Sequence, residues 1–126
     1  MAFALNHIGQ IALSVADVDA AEAFYSGKLG LRKLFRFGDL CFLDAGVRLL
    51  IEKASKVEPS SPIYFKVADI ALARRELEAR GVTFIDKIHL IAPMEDHDLW
   101  MTFFRDPDEH LLALMCETPK GYKPAR

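Results

Sequence analysis

GQIALSVADVDAAEAFY, residues 9–25, decides how this 126-residue chain is read. Ile11, Leu13 and Val15 alternate with Gln10, Ala12 and Ser14. A period of two places three apolar side chains on one face of a strand and the other three on the opposite face. The alternation stops at Asp17, whose carboxylate can cap a helix by accepting from the free backbone amides of its first turn. Val18, Ala21, Phe24 and Tyr25 then share one side of the following segment, which ends at Gly30 in LGL. Glycine takes the left-handed conformation that stops a helix. One strand and one helix are therefore defined, and Gln10 is left on the strand face that the helix does not need.

The pattern returns. Val15-Ala16-Asp17 recurs as Val67-Ala68-Asp69, within SPIYFKVADIALARREL. Ile70, Ala73 and Leu77 form the apolar side of the second helix, which stops at Gly81 in RGV. Strand-like runs follow each helix: LRKLFRF, LCFLDAG and VRLLIE in the first half, VTFIDKIHLI, LWMTFF and HLLALM in the second. Gly38-Asp39, Ala45-Gly46 and Asp106-Pro107-Asp108 supply turn chemistry. The unit is strand, helix, strand, strand, strand, used twice. Unit one covers about residues 6–52, a polar linker 53–62, unit two about 63–117 and a tail 118–126, all within a single α+β domain. Each unit has a sheet with one face under a helix and one face bare, and two bare faces can enclose a shared cleft.

Apolar residues make up 52% of the chain and charged residues 27%, with a net charge of −2 and no basic block. That composition fits a soluble globular domain and disfavours nucleic acid and anionic membranes as partners. The N-terminus lacks a basic segment, and no apolar run is long enough to span a bilayer, so a cytoplasmic protein is expected. Cys41 and Cys116 lie far apart in apolar runs, as reduced buried thiols do.

QIALSVADVDAAEAFYSGKLGL and FFRDPDEHLLAL together resemble the vicinal oxygen chelate superfamily: glyoxalase I, extradiol dioxygenases, fosfomycin and bleomycin resistance proteins, and methylmalonyl-CoA epimerase. The resemblance runs from about Ile8 to Glu117, with Glu109 where an Asp-Pro-Asp-Gly turn usually has glycine. It implies the glyoxalase/bleomycin resistance-like fold, a small-molecule ligand and, commonly, a homodimer. Fold alone does not fix the reaction.

In metal-using members, the resemblance places four ligands on the first and last strands of the two units. Those positions here are Gln10, Leu50, Pro62 and Ala113. One neutral amide among Leu, Pro and Ala does not hold a divalent ion, so no metal and no other cofactor is expected. A two-residue shift of register would bring in Glu52, making Gln10 and Glu52 the candidate metal ligands. The histidines allow another reading. His7 and His110 fall opposite Gln10 and Ala113, as partly exposed edge residues. KIHLIAPMEDHDLW carries His89 and His97 in what is either a solvated loop or a lid, with Met94 and Trp100 as its ligand-contacting surface. Either histidine could then serve as catalytic acid or base.

The expected cleft lining is mostly apolar with a few polar anchors, as small-molecule pockets are. Its ligand-binding candidates are Gln10, Arg48, Leu50, Glu52, Tyr64, Ala113 and Met115. Arg48 either meets a carboxylate or pairs with Glu52 two residues along its strand face. Three functions remain open. The first is a metal-free protein that binds an apolar or aromatic metabolite. The second is a metal-dependent lyase, isomerase, epimerase or dioxygenase. The third is a metal-free enzyme in which a histidine or Tyr64 transfers a proton.

Overall fold

The computed structural model describes residues 3–124. The order of elements is β1 (Gln10–Val15), α1 (Val18–Glu22), β2 (Arg32–Phe37), β3 (Leu40–Ala45), β4 (Val47–Lys53), β5 (Ile63–Lys66), α2 (Ile70–Ala79), β6 (His89–Pro93), β7 (Asp98–Arg105) and β8 (Leu111–Thr118). A π-helical segment, Ala23–Lys28, continues α1. The chain divides into two compact units between Pro59 and Ser60, inside the polar linker.

In unit one the strand order is β1-β4-β3-β2, with β1 parallel to β4 and the other pairs antiparallel. Asp17 caps α1 as its position predicts, accepting from the amides of Asp19 at 2.9 Å and Ala20 at 3.2 Å. Leu13, Val15, Leu49, Ile51, Cys41 and Leu43 are buried on one sheet face with Val18, Ala21, Phe24 and Tyr25. The bond from the Leu29 amide to the Phe24 carbonyl, 2.9 Å, spans five residues. In this wider turn the adjacent rings of Phe24 and Tyr25 both reach the core, packing edge to face at 5.3 Å.

Unit two repeats the plan with order β5-β8-β7-β6 and β5 parallel to β8. Asp69 caps α2 through the Leu72 amide at 3.1 Å. Helix α2 packs on β8 and buries Ile70, Ala71 and Leu77. The two βαβββ units are therefore present as expected.

Three local expectations need correction. VTFIDKIHLI is not one strand: Phe84 makes an isolated bridge to Phe104, and the strand begins at His89. Residues between them are diverted by a polar latch. The Asp86 carboxylate accepts from Thr102 Oγ1 at 3.0 Å and the Phe103 amide at 2.9 Å, while Arg74 donates to the Asp86 carbonyl at 2.7 Å and Thr102 Oγ1 at 2.8 Å. KIHLIAPMEDHDLW is not a loop either, because β6 and β7 pair as a hairpin whose turn holds only residues 94–97. His110 is buried rather than partly exposed. The Asp106 carboxylate holds the amides of Asp108 and His110 at 2.8 and 2.9 Å, drawing this turn inward. Among the described residues Glu109 is the one non-glycine with positive φ, 69°, at the position where glycine is usual.

Candidate functional site

Each unit leaves one sheet face without a helix, and side chains reach it by strand alternation. In unit one the cross-strand rows are set by register. Gln10 lies beside Arg48, which lies beside Asp44; Ala12, Leu50, Phe42 and Phe35 form the next row; Ser14, Glu52, Leu40 and Phe37 form the third. The predicted residues Gln10, Arg48, Leu50 and Glu52 therefore share this face.

Arg48 and Glu52 do not pair. Arg48 Nε donates to Gln10 Oε1 at 2.8 Å, and its guanidinium carbon lies 5.4 Å from the centroid of Phe42. Phe42 is stacked on Phe35 at 4.4 Å. The reason is register: Arg48 is the direct neighbour of Gln10, whereas Glu52 lies in the row of Ser14. The Ser14 hydroxyl accepts from the Glu58 amide at 2.7 Å and so ties the linker to the end of β1. Phe35 and Phe42 were absent from the sequence-derived site. The alternation of β3 places Phe42 with Leu50, but a β-bulge between Lys33 and Phe35 conceals the facing of Phe35.

This geometry bears on whether the unit-one donors suit a metal. The amide oxygen of Gln10 is engaged by a cation, and Glu52 lies four strand residues away, about 13 Å at ordinary strand rise. Gln10 and Glu52 are therefore not neighbours on this face, and among the described residues no three His, Cys, Asp or Glu side chains cluster as a metal site.

In unit two the bare face carries Tyr64 beside Ala113 beside Phe103, and Lys66 beside Met115 beside Met101 beside His89. Tyr64 is exposed and its ring meets Phe103 edge to face at 6.0 Å; Ala113, between them in register, is fully buried. His89 stacks on Phe103 with centroids 6.2 Å apart. Its Nδ1 lies 2.7 Å from the Lys87 carbonyl, which can only accept, so Nδ1 carries the proton and Nε2 keeps its lone pair in the neutral ring.

His97, in the hairpin turn, contacts Asp96 Oδ1 at 2.6 Å and Glu117 Oε2 at 3.5 Å. Glu117 also takes Lys66 Nζ at 2.9 Å. The Lys66 hydrogen bond, above all, holds the Glu117 carboxyl below its usual range, and the His97 hydrogen bond does the same for Asp96. Met94 is exposed in the same turn, with its carbonyl accepting from Lys120 at 2.8 Å.

Trp100 is not brought to this face. It is a cross-strand neighbour of buried Cys116, on the side that α2 covers, and its Nε1 donates to Thr118 Oγ1 at 3.0 Å. Phe103, Met101 and Glu117 stand on the bare face instead. Alternation outward from Ala113 and Met115 could have found them once the register of β7 against β8 was known.

The family model for the Glyoxalase/Bleomycin resistance protein/Dioxygenase superfamily matches residues 5–114. Comparison with curated protein sequences returned no match. Solved structures share the fold. A glyoxalase/bleomycin resistance protein/dioxygenase from Alicyclobacillus acidocaldarius is 21% identical, with a TM-score of 0.74 over 89% of this chain and 92% of that one. A protein described in the same words from Nocardioides is 19% identical, with a TM-score of 0.75 over 99% and 91%. Lactoylglutathione lyase from Agrobacterium tumefaciens is 22% identical, with a TM-score of 0.71 over 87% and 92%. The duplicated βαβββ plan and a family match over most of its length place this chain in the Glyoxalase/Bleomycin resistance protein/Dioxygenase superfamily.

Proposed function

We propose that this protein binds a small apolar or aromatic metabolite without a metal, using the bare face of unit one, and that Arg48 receives an anionic group on that ligand. The observation that carries this reading is the 2.8 Å bond from Arg48 Nε to Gln10 Oε1. It fixes the guanidinium plane through one nitrogen while the two terminal nitrogens retain the fork that matches a carboxylate. The stacked rings of Phe35 and Phe42, with Leu50 in the same row, offer apolar surface beside that fork. In this reading Gln10 positions the arginine and does not ligate an ion.

Thermal shift in the presence of a chelator tests the proposal. Phenylacetate and 2-naphthoate should raise the melting temperature of the wild type by mass action. Arg48→Leu should abolish the shift and Gln10→Leu should reduce it. Equal shifts in all three proteins would remove Arg48 from the site.

A second reading, proton transfer without a metal, is favoured by one observation: the Nε2 lone pair of His89 next to Phe103 on the bare face of unit two. Loss of turnover in His89→Ala with ligand affinity retained would select it over simple binding. We also propose that the protein is a homodimer, with sedimentation equilibrium as the test; a monomer mass would refute it.

A further inference from the structure

Unit two contains a cavity that neither bare face explains. It lies on the α2 side of the sheet and has a volume of about 600 Å³, within the range of small-molecule pockets. Its position follows from the packing. Helix α2 is seated on β8, so the sheet beyond it, toward the edge strand β6, is left with Trp100 on the helix side. The indole spends its one polar atom on Thr118 and offers the cavity an apolar ring.

The walls are cationic. Arg74, Arg75, Lys87 and Lys123 line the cavity against one carboxylate, Glu78. Arg74 and Glu78 pair at 3.4 Å, so the cations left to meet a ligand are Lys87 and Lys123. They belong to the 82–88 connection and the tail. Both segments are anchored. The Asp86 latch holds the connection to β7. Buried Asp98 holds the tail, accepting from Lys120 Nζ at 3.0 Å and the Gly121 amide at 3.1 Å. Lys87 and Lys123 make no ion pair among the described residues.

We propose that this cavity is a binding site for a small aromatic phosphate, with the ring against Trp100 and the phosphate drawn by Lys87 and Lys123. A phosphate monoester carries nearly two negative charges at neutral pH, which suits the two lysine charges. The site shares no residue with the Arg48 platform of unit one.

The probe is 4-nitrophenyl phosphate. Trp100 is the protein's single tryptophan, so its fluorescence reports on this cavity alone, with calorimetry giving the stoichiometry. Saturable one-site binding is expected. The double variant Lys87→Glu/Lys123→Glu, which alters only exposed side chains, should weaken it by at least about tenfold. Arg48→Leu should leave it unchanged, which separates this site from the function proposed above. Inorganic phosphate and 4-nitrophenol should each bind more weakly than the joined compound. Equal affinity in the double variant would overturn the proposal, as would inorganic phosphate matching the aromatic ester or an absence of saturation at millimolar probe.

Discussion

Replacing Thr102 with valine should unfold the protein at markedly lower denaturant concentration. Thr102 is fully buried, and its Oγ1 accepts from Arg74 at 2.8 Å while donating to Asp86 at 3.0 Å. Valine keeps the shape and removes both bonds. Neither partner is fully orphaned: Arg74 keeps the Asp86 carbonyl at 2.7 Å, and Asp86 keeps the Phe103 amide at 2.9 Å. A hydrogen bond to a charged group contributes about 1.5–3 kcal/mol, so two partly compensated bonds amount to about 2–2.5 kcal/mol. The added buried methyl returns up to about 0.8 kcal/mol. A net loss of about 1.5 kcal/mol remains. With a urea m-value near 1.5 kcal/mol/M, the midpoint falls by about 1 M. The assay is urea unfolding followed by far-UV circular dichroism, with m-values compared first. Thr118→Val, which loses the Trp100 bond and a long 3.4 Å contact to the Tyr122 carbonyl, should fall by less. A Thr102→Val midpoint within about 0.2 M of wild type at unchanged m would refute the latch as an energetic element.

Three further outcomes are expected. Glu109→Gly relieves a left-handed φ of 69° and loses only an exposed 3.8 Å contact to Arg105, so it should stabilise by about 0.5–1 kcal/mol and raise Tm by a few degrees in calorimetry. Glu22 is held below its usual range, first by Lys33 and then by Arg36, and Asp98 is held down by Lys120 and then the Gly121 amide. Their folded values lie below their unfolded ones, so their contribution is complete above the ordinary carboxylate range and is lost as pH falls through about 4 and below. Thermal melts from pH 7 to pH 3 should show that decline, and Glu22→Gln should flatten it. Burial pushes both the Cys41 and Cys116 thiols up. A disulfide-exchange reagent should therefore find no fast-reacting thiol in the native protein and two after unfolding.

The fold was legible because its signals are local and occur twice. Alternation in β1 and β5, an aspartate cap and a terminal glycine each act over a few residues, and their repetition removed competing readings. The start of β6 was not legible for the opposite reason. Residues 82–91 look continuous in composition, and only the long-range bonds from Asp86 to Thr102 and Phe103 break them into a bridge and a later strand. Facing explains the site in the same way. Gln10, Arg48, Leu50 and Glu52 could be assigned to one face by counting, but which of them touch depends on the parallel register of β1 and β4. That register gives Arg48–Gln10 in place of an Arg48–Glu52 pair, which was one of the two alternatives for Arg48. Trp100 was attached to a supposed lid, and the pairing of β7 with β8 sends it to the opposite face.

Metal-free binding at Arg48 is decided by isothermal titration of 2-naphthoate before and after exhaustive chelation, with elemental analysis of the protein in parallel. Substoichiometric metal, one dissociation constant in both preparations and loss of binding in Arg48→Leu are expected. A stoichiometric divalent ion whose removal abolishes binding, with Gln10 among its ligands, would contradict it.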